Sequence, residues 1–228
     1  MSIPCFIFAR KNSQRLKNKN RIKFLNLPLI VHTINYARNS KFVKDVVVST
    51  DDYEIKTIAE KLNCITIYPR PKKLSNNTAS SLSALKHAMN FYQKNVSNFD
   101  VYAYLQITEP LRPPKILDKC INILLKNKKI NSSFAAYETK KTYWIKLNNQ
   151  NYKSFNPEYN SADKKKIIYR EDCGLALVSR KKITLTNNKL VNKPFRIVPY
   201  SSFEGLLDIH NEKDLLLGEF LKKNLLNY

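Results

Sequence analysis

Directly after the apolar run from Ile3 to Phe8, the chain reads ARKNSQRLKNKN from Ala9 to Asn20. Five cations, Arg10, Lys11, Arg15, Lys17 and Lys19, stand there among the amide and hydroxyl donors Asn12, Ser13 and Asn20. Arginine grips phosphate oxygens in bidentate fashion and lysine adds point charge, so the stretch suits a polyphosphate. It equally suits an exposed basic loop. The GxxxxGK[ST] pattern of a Walker loop is absent. A second constellation, LQITEPLR from Leu105 to Arg112, follows another apolar run. Gln106 and Thr108 can read a base edge or a ribose through neutral hydrogen bonds; alternatively Thr108 caps a helix whose turn the prolines set. The third is Leu207-Asp208-Ile209-His210, where alternation points Asp208 and His210 to one side. That pair suits a metal site, an acid and base, or a turn that caps the last helix.

These residues need elements to hold them. Short apolar runs alternate with amphipathic stretches over the first 137 residues. Strands are expected at Ile3 to Phe8, Asp45 to Val48, Ile65 to Tyr68, Val101 to Gln106, Ser133 to Tyr137 and Leu175 to Val178. Helices are expected at Leu29 to Ala37, Tyr53 to Leu62, Thr78 to Tyr92 and Pro113 to Leu125, the third with Leu82, Leu85, Ala88, Met89 and Tyr92 on one face. This rhythm predicts an α/β fold of three layers, a mostly parallel sheet between helices. Ligands of such sheets sit at the carboxyl ends of strands, where the loops after Phe8, Val48 and Leu105 fall. From Glu138 to Tyr169 the rhythm stops in a stretch rich in Lys, Asn and Tyr, expected to be a dimer arm or lid rather than a structureless loop. Asn211, with Asp214 three residues on, opens a last helix expected to bury Leu216, Leu217, Phe220 and Leu221.

The 228 residues suit one domain, 1–228, and a hydrophobic content of 43% supports a sizeable core. The formal net charge of +22 points to an anionic partner. Lysines are scattered from end to end, however, and much of that charge is solvated surface. Four widely spaced cysteines, Cys5, Cys64, Cys120 and Cys173, form no CxxC pair, which argues against a metal cluster and for a reducing compartment. With no apolar run long enough for a bilayer and no signal-peptide pattern, a cytoplasmic protein without a membrane partner is expected. A nucleic-acid-binding module is disfavoured, because the aromatics sit at apolar periodic positions and no RRM, KH or helix-turn-helix signature appears.

Taken together, F-x-A-R-K-N-S-x-R-L-x-N-K-N, P-L-I, V-V-V-S-T-D-D, R-P-x-x-L, L-Q-x-T-x-P-L-R and D-I-H-N-E-x-D-L resemble the acylneuraminate cytidylyltransferase family, with CMP-Kdo synthetases as more distant cousins. The resemblance runs from Ile3 to about residue 112, reappears at Tyr143-Trp144 and returns from Tyr169 to Glu219. It implies a Rossmann-like topology of the nucleotide-diphospho-sugar transferase type and transfer of CMP from CTP to the anomeric hydroxyl of a 2-keto sugar acid, sialic or another nonulosonic acid, with release of pyrophosphate. Arg10, Ser13, Arg15 and Lys19 would surround the triphosphate, with Asn20 placing the nucleotide and Arg70 and Ser81 beside it. Gln106 and Thr108 would face nucleotide and sugar, and Arg170 the carboxylate of the acid. Asp208 would bind Mg2+, with His210 beside it or acting as a base. The resemblance also suggests a homodimer whose 138–169 arms complete each other's sugar pockets.

Several positions depart from the family's pattern. Asn12 stands where many relatives have glycine, which stiffens the loop. Ile107 and Glu109 interrupt Leu-Gln-Pro-Thr-Ser-Pro-Leu-Arg, and Asn77 replaces a frequent Asp. Asp172-Cys173-Gly174 stands for Asn-Gly-Ala, and His210 for the second Asp of Asp-x-Asp. Magnesium prefers oxygen ligands, so His210 is a poor direct ligand. The departures leave open another acceptor, such as Kdo, or a relative without catalysis.

Overall fold

In a computed structural model of the chain, residues 2–13, 15–141, 143–149, 151–154 and 167–224 are described. Gln14 in the basic loop and residues 155–166 of the expected excursion lie outside them.

The first strand, β1 (Pro4–Ala9), is buried almost throughout because both its faces are covered. Cys5, Ile7 and Ala9 enter one core and Phe6 the other. A two-stranded hairpin, β2 (Lys23–Phe24) and β3 (Leu27–Pro28), leads into α1 (Leu29–Arg38). Then come β4 (Asp45–Thr50), α2 (Tyr53–Lys61), β5 (Ile65–Ile67), α3 (Ser81–Asn95), β6 (Val101–Leu105), α4 (Ile116–Lys126) and β7 (Ser132–Thr139). After these follow β8 (Trp144–Lys146), β9 (Tyr152–Ser154), β10 (Ile168–Glu171), β11 (Leu177–Arg180), α5 (Lys181–Asn187), β12 (Phe195–Tyr200) and α6 (Glu212–Asn224).

Strands β5, β4, β1 and β6 lie side by side and parallel, with Ile7 opposite both Val48 and Leu105. Beyond β6 the sheet continues through antiparallel β11 to β7. Ser132, Ser133 and Phe134 pair with both β11 and β12, so these lie on opposite edges of β7, and β10 extends the β11 edge toward Thr139. The chain is thus an α/β protein with a mostly parallel sheet. Helices α1, α2 and α4 supply Ile34, Ile55 and Leu124 to one face, and α3 supplies Leu85, Met89 and Tyr92 to the other.

Helix starts follow local chemistry. The Asp52 carboxylate accepts the Glu54 N–H at 3.0 Å, and the Ser80 hydroxyl accepts the Ser83 N–H at 3.1 Å. Asn211 and Asp214 exchange side-chain and backbone hydrogen bonds at 2.9 and 3.1 Å, the reciprocal cap expected from their spacing.

One expectation changes. Helix α6 turns Leu215, Gly218 and Leu221 inward, whereas Leu216, Leu217 and Phe220 are exposed. The cause is Gly218: a Cβ there would meet Leu207 Cδ2 at 2.5 Å and Phe24 Cε2 at 2.8 Å, so the helix approaches closely along its smallest residue rather than its largest. Of the 138–169 stretch, the described residues show β7 running on to Thr139, β8 and β9 pairing as a separate antiparallel hairpin, and β10 beginning at Ile168. That hairpin exposes Trp144, Ile145 and Tyr152.

Candidate active site

Because β1, β4 and β6 run parallel, the loops after Ala9, Thr50 and Leu105 emerge at one edge of the sheet. Between them and the start of α3 lies a cleft of about 400 Å³. Its walls include Arg10, Ser13, Arg15, Lys19, Asn20, Arg70, Ser81, Gln106 and Thr108, residues scattered over a hundred positions of sequence.

The basic loop is held by its own polar groups. The buried Asn20 donates from Nδ2 to the Arg10 carbonyl at 2.9 Å, folding the loop back on itself. Lys19 Nζ donates to the Ile209 carbonyl at 3.3 Å, tying the loop to the segment before α6. Burial lowers the Lys19 pKa, Asp208 opposes that fall, and Arg15 and Arg10 add to it. Arg10 Nη1 reaches Asn77 Oδ1 at 3.2 Å and the Asn76 carbonyl at 3.4 Å. Position 12 needs no glycine, since Asn12 is not among the described residues with positive φ.

Asp51, in the turn after β4, accepts the Lys11 N–H at 2.8 Å and lies 3.7 Å from Arg70 Nη2. Arg70 is buried and donates from Nε to Ser75 Oγ at 3.1 Å. Burial lowers its pKa, with Asp51 acting in the opposite sense. The guanidinium stays charged, since no shift of ordinary size brings arginine near neutrality.

On the other side of the cleft, Gln106 presents its side chain while its N–H donates to the Gly174 carbonyl at 2.8 Å. The Thr108 hydroxyl is enclosed without a partner, and its carbonyl accepts the Ile209 N–H at 2.8 Å. Asp208, next to Ile209, is near enough to Lys19 to act on its charge. His210 Nε2 is 2.7 Å from Asp208 Oδ2, so the two side chains share a side, and the His210 N–H donates to Asp214.

No group of three or more His, Cys, Asp and Glu side chains able to hold a metal occurs among the described residues. A half-exposed carboxylate, Asp208, beside a cationic loop suits a magnesium ion that takes most of its oxygens from phosphate and water. Arg170 stands apart from the cleft lining. Its Nε and Nη2 grip Asp172 at 3.0 and 3.1 Å, and Asp172 also accepts from the Tyr200 hydroxyl at 2.5 Å.

Sequence reasoning assigned no role to Arg112, Glu109 or Asp51. Arg112 is fully enclosed and donates to the carbonyls of Gln106, Leu175 (2.9 Å) and Gly174 (3.4 Å) and to the Thr33 hydroxyl (3.1 Å). Its signal was an arginine between Leu111 and Pro113 at the sheet's carboxyl edge. Glu109 is pushed up to about 8, chiefly by burial, with Arg112 opposing and Asp208 and Asp172 adding to the rise. The acidic turn Ser49-Thr50-Asp51-Asp52 was the signal for Asp51.

Comparison with known proteins adds to this geometry. The family model described as cytidylyltransferase matches residues 5–221. A pseudaminic acid cytidylyltransferase of Campylobacter jejuni is 30% identical over 223 residues, covering 96% of this chain and 95% of its own. An N-acylneuraminate cytidylyltransferase of Escherichia coli is 25% identical over 219 residues, 95% of this chain and 51% of that protein. Among solved structures, a CMP-2-keto-3-deoxy-manno-octonic acid synthetase complexed with CTP superposes with a TM-score of 0.73 at 15% identity, covering 98% of this chain and 99% of the other. At that identity the likeness speaks for the fold.

Proposed function

The chain belongs to the cytidylyltransferase family, and from that premise we propose that it transfers CMP from CTP to the anomeric hydroxyl of a nonulosonic acid and releases pyrophosphate. The observation that carries this reading is the cleft in which a cationic loop and two neutral readers meet, with Asp208 acting on Lys19 from beyond the cleft lining. Arg10, Ser13, Arg15 and Lys19 take the triphosphate. Asn20 holds their loop in shape, and Arg70 and Ser81 flank the nucleotide. Gln106 and Thr108 face nucleotide and sugar.

In the reaction, the sugar hydroxyl attacks the α-phosphorus in line, a new P–O bond forms, and the bond to the β-phosphate oxygen breaks. Charge gathers on the leaving pyrophosphate, where Arg10 and Lys19 stabilise it. Burial lowers the Lys19 pKa, and the negative charge of the phosphates would act with Asp208 to favour its protonated form. Mg2+ held by Asp208 would neutralise phosphate charge and orient the α-phosphate. His210, bonded to Asp208, orients that carboxylate. The anomeric hydroxyl of a 2-keto acid is acidic enough to need little help from a base.

Arg170, locked to Asp172, presents its remaining N–H groups to the acid's carboxylate. The exposed apolar side chains of the β8–β9 hairpin support its use as an arm between two copies of the chain. We place the protein in the cytoplasm, where its cysteines, all free, stay reduced. Pyrophosphate release with each nucleoside triphosphate and a panel of sugar acids tests the reading. Release is expected with CTP, Mg2+ and a nonulosonic acid together, and no release with any acid would refute it.

A further inference from the structure

Glu109 has no part in the mechanism above, yet its carboxyl is the least accounted-for polar group near the cleft. It follows Thr108, which lines the cleft, and its side chain is only 12% exposed. Oε2 is enclosed and has no hydrogen-bond partner. The nearest cation, Arg112, lies 3.9 Å away, too far for a hydrogen bond. It is also already committed, since its N–H groups serve the carbonyls of Leu175, Gln106 and Gly174 and the Thr33 hydroxyl.

The carboxyl lies where a side chain is missing. A Cβ on Gly174 would fall 2.6 Å from Glu109 Oε2 and 2.8 Å from Gln106 Cδ, so Glu109 and the Gln106 amide converge over the same backbone atom. The other charges acting on Glu109 are those of Asp172 and Arg170, which the cytidylyl-transfer reading places on the acceptor side, and of Asp208, its magnesium ligand. A buried acid with no partner is costly unless a ligand completes it. When protonated, a carboxyl offers one O–H donor beside one acceptor and repels neither a sugar acid's carboxylate nor a triphosphate.

Resting on the cytidylyl-transfer reading, we propose that Glu109 is a specificity-determining residue of the acceptor subsite, its carboxyl hydrogen-bonding a neutral polar substituent of the sugar acid, an N-acylamino or a hydroxyl group. Gly174 leaves the space in which that carboxyl lies, and Arg112 holds the surrounding backbone without satisfying it.

The test compares wild type, Glu109→Gln and Glu109→Ala in pyrophosphate release with CTP and two acceptors, N-acetylneuraminic acid and the hydroxyl-only acid Kdo. The ratio of kcat/KM between the acids is the readout, with KM for CTP as the internal control. Loss of one hydrogen bond in a site built to make it shifts the ratio about tenfold in Glu109→Ala. Glu109→Gln, which keeps a neutral donor and acceptor, stays within about threefold of wild type. A shift against the N-acetyl acid identifies the amide as the group read; a shift against Kdo identifies a hydroxyl. A wild-type ratio in Glu109→Ala overturns the proposal, as does an equal loss of CTP affinity and acceptor preference in both variants. Wild-type protein inert toward every acid removes the underlying reading and this inference with it, an outcome distinct from active enzyme with unmoved ratios.

Discussion

The two sides of the cleft are charged in opposite ways. The side proposed for the nucleotide offers Arg10, Arg15, Lys19 and Arg70, whose contacts are mostly neutral: the Asn77 amide, the Ser75 hydroxyl and main-chain carbonyls; Asp208, the proposed magnesium ligand, acts on Lys19. The side proposed for the acceptor carries Glu109 and Asp172, with Arg112 and much of Arg170 already engaged by protein groups. On the first side cationic charge is left for the ligand. On the second, most charge is balanced internally: Arg170 keeps only the N–H groups that Asp172 leaves over for the acid's carboxylate, and the rest of recognition falls to neutral groups and geometry. A polyanionic donor and a small polyhydroxylated acid call for that division.

Breaking the nucleotide side should cost most. Lys19→Ala and Asp208→Ala each remove charge stabilisation that grows as pyrophosphate departs, and kcat should fall by about 10²–10³ in a pyrophosphate-release assay. Full activity in either variant would end the division of labour just described. Next in size is a stability effect on the acceptor side. The Glu109 pKa is raised on folding to about 8 from its ordinary value of 4.5, so its contribution is full below about pH 4.5 and is lost as pH rises through about 8. Thermal unfolding between pH 5 and 9 should show wild type losing on the order of a few kcal/mol relative to Glu109→Gln. Parallel pH profiles would mean the carboxylate is ionised throughout.

Smaller effects sharpen the contrast. Arg70→Ala should raise KM for CTP about tenfold and leave KM for the acceptor near its starting value. Asp172→Asn loosens the bidentate hold on Arg170, and the reverse pattern is expected, with acceptor KM up about fivefold. Least of all, Asn77→Asp gives the half-buried Arg10 a charged partner at an exposed position, and a change of about twofold in KM for CTP is expected from such a pair. Isothermal titration with CTP, without turnover, would measure the donor-side contacts separately.

Much of this arrangement was legible in the residues themselves. Apolar runs with period-two or helical spacing located β1, β4, β6 and the inward face of α3, because burial on both sides of a sheet leaves a continuous signal. The basic loop, Gln106, Thr108 and the Asp208–His210 pair were visible because each follows or interrupts such a run. Other features depend on contacts between distant segments. Nothing in Leu216, Leu217 and Phe220 announces that α6 turns them outward, since the decision lies with Gly218 meeting Phe24 and Leu207. Strand β12 joins the sheet beside β7, and its alternation is too weak to announce that. Glu109 read as a polar turn residue, and only the crowding of Gly174, Gln106 and Arg112 around it makes it a buried acid.

The guanidinium of Arg112 has a bearing on how such a pocket can diversify. By fastening the carbonyls of Gln106, Gly174 and Leu175, it secures two pocket walls through main-chain atoms that every residue type possesses. Positions 107, 109, 172 and 173, where this chain departs from its relatives' pattern, lie on or beside those walls. Their side chains can be exchanged while the scaffold behind them keeps its place. A lineage built this way can try new acceptors one substitution at a time without first risking collapse.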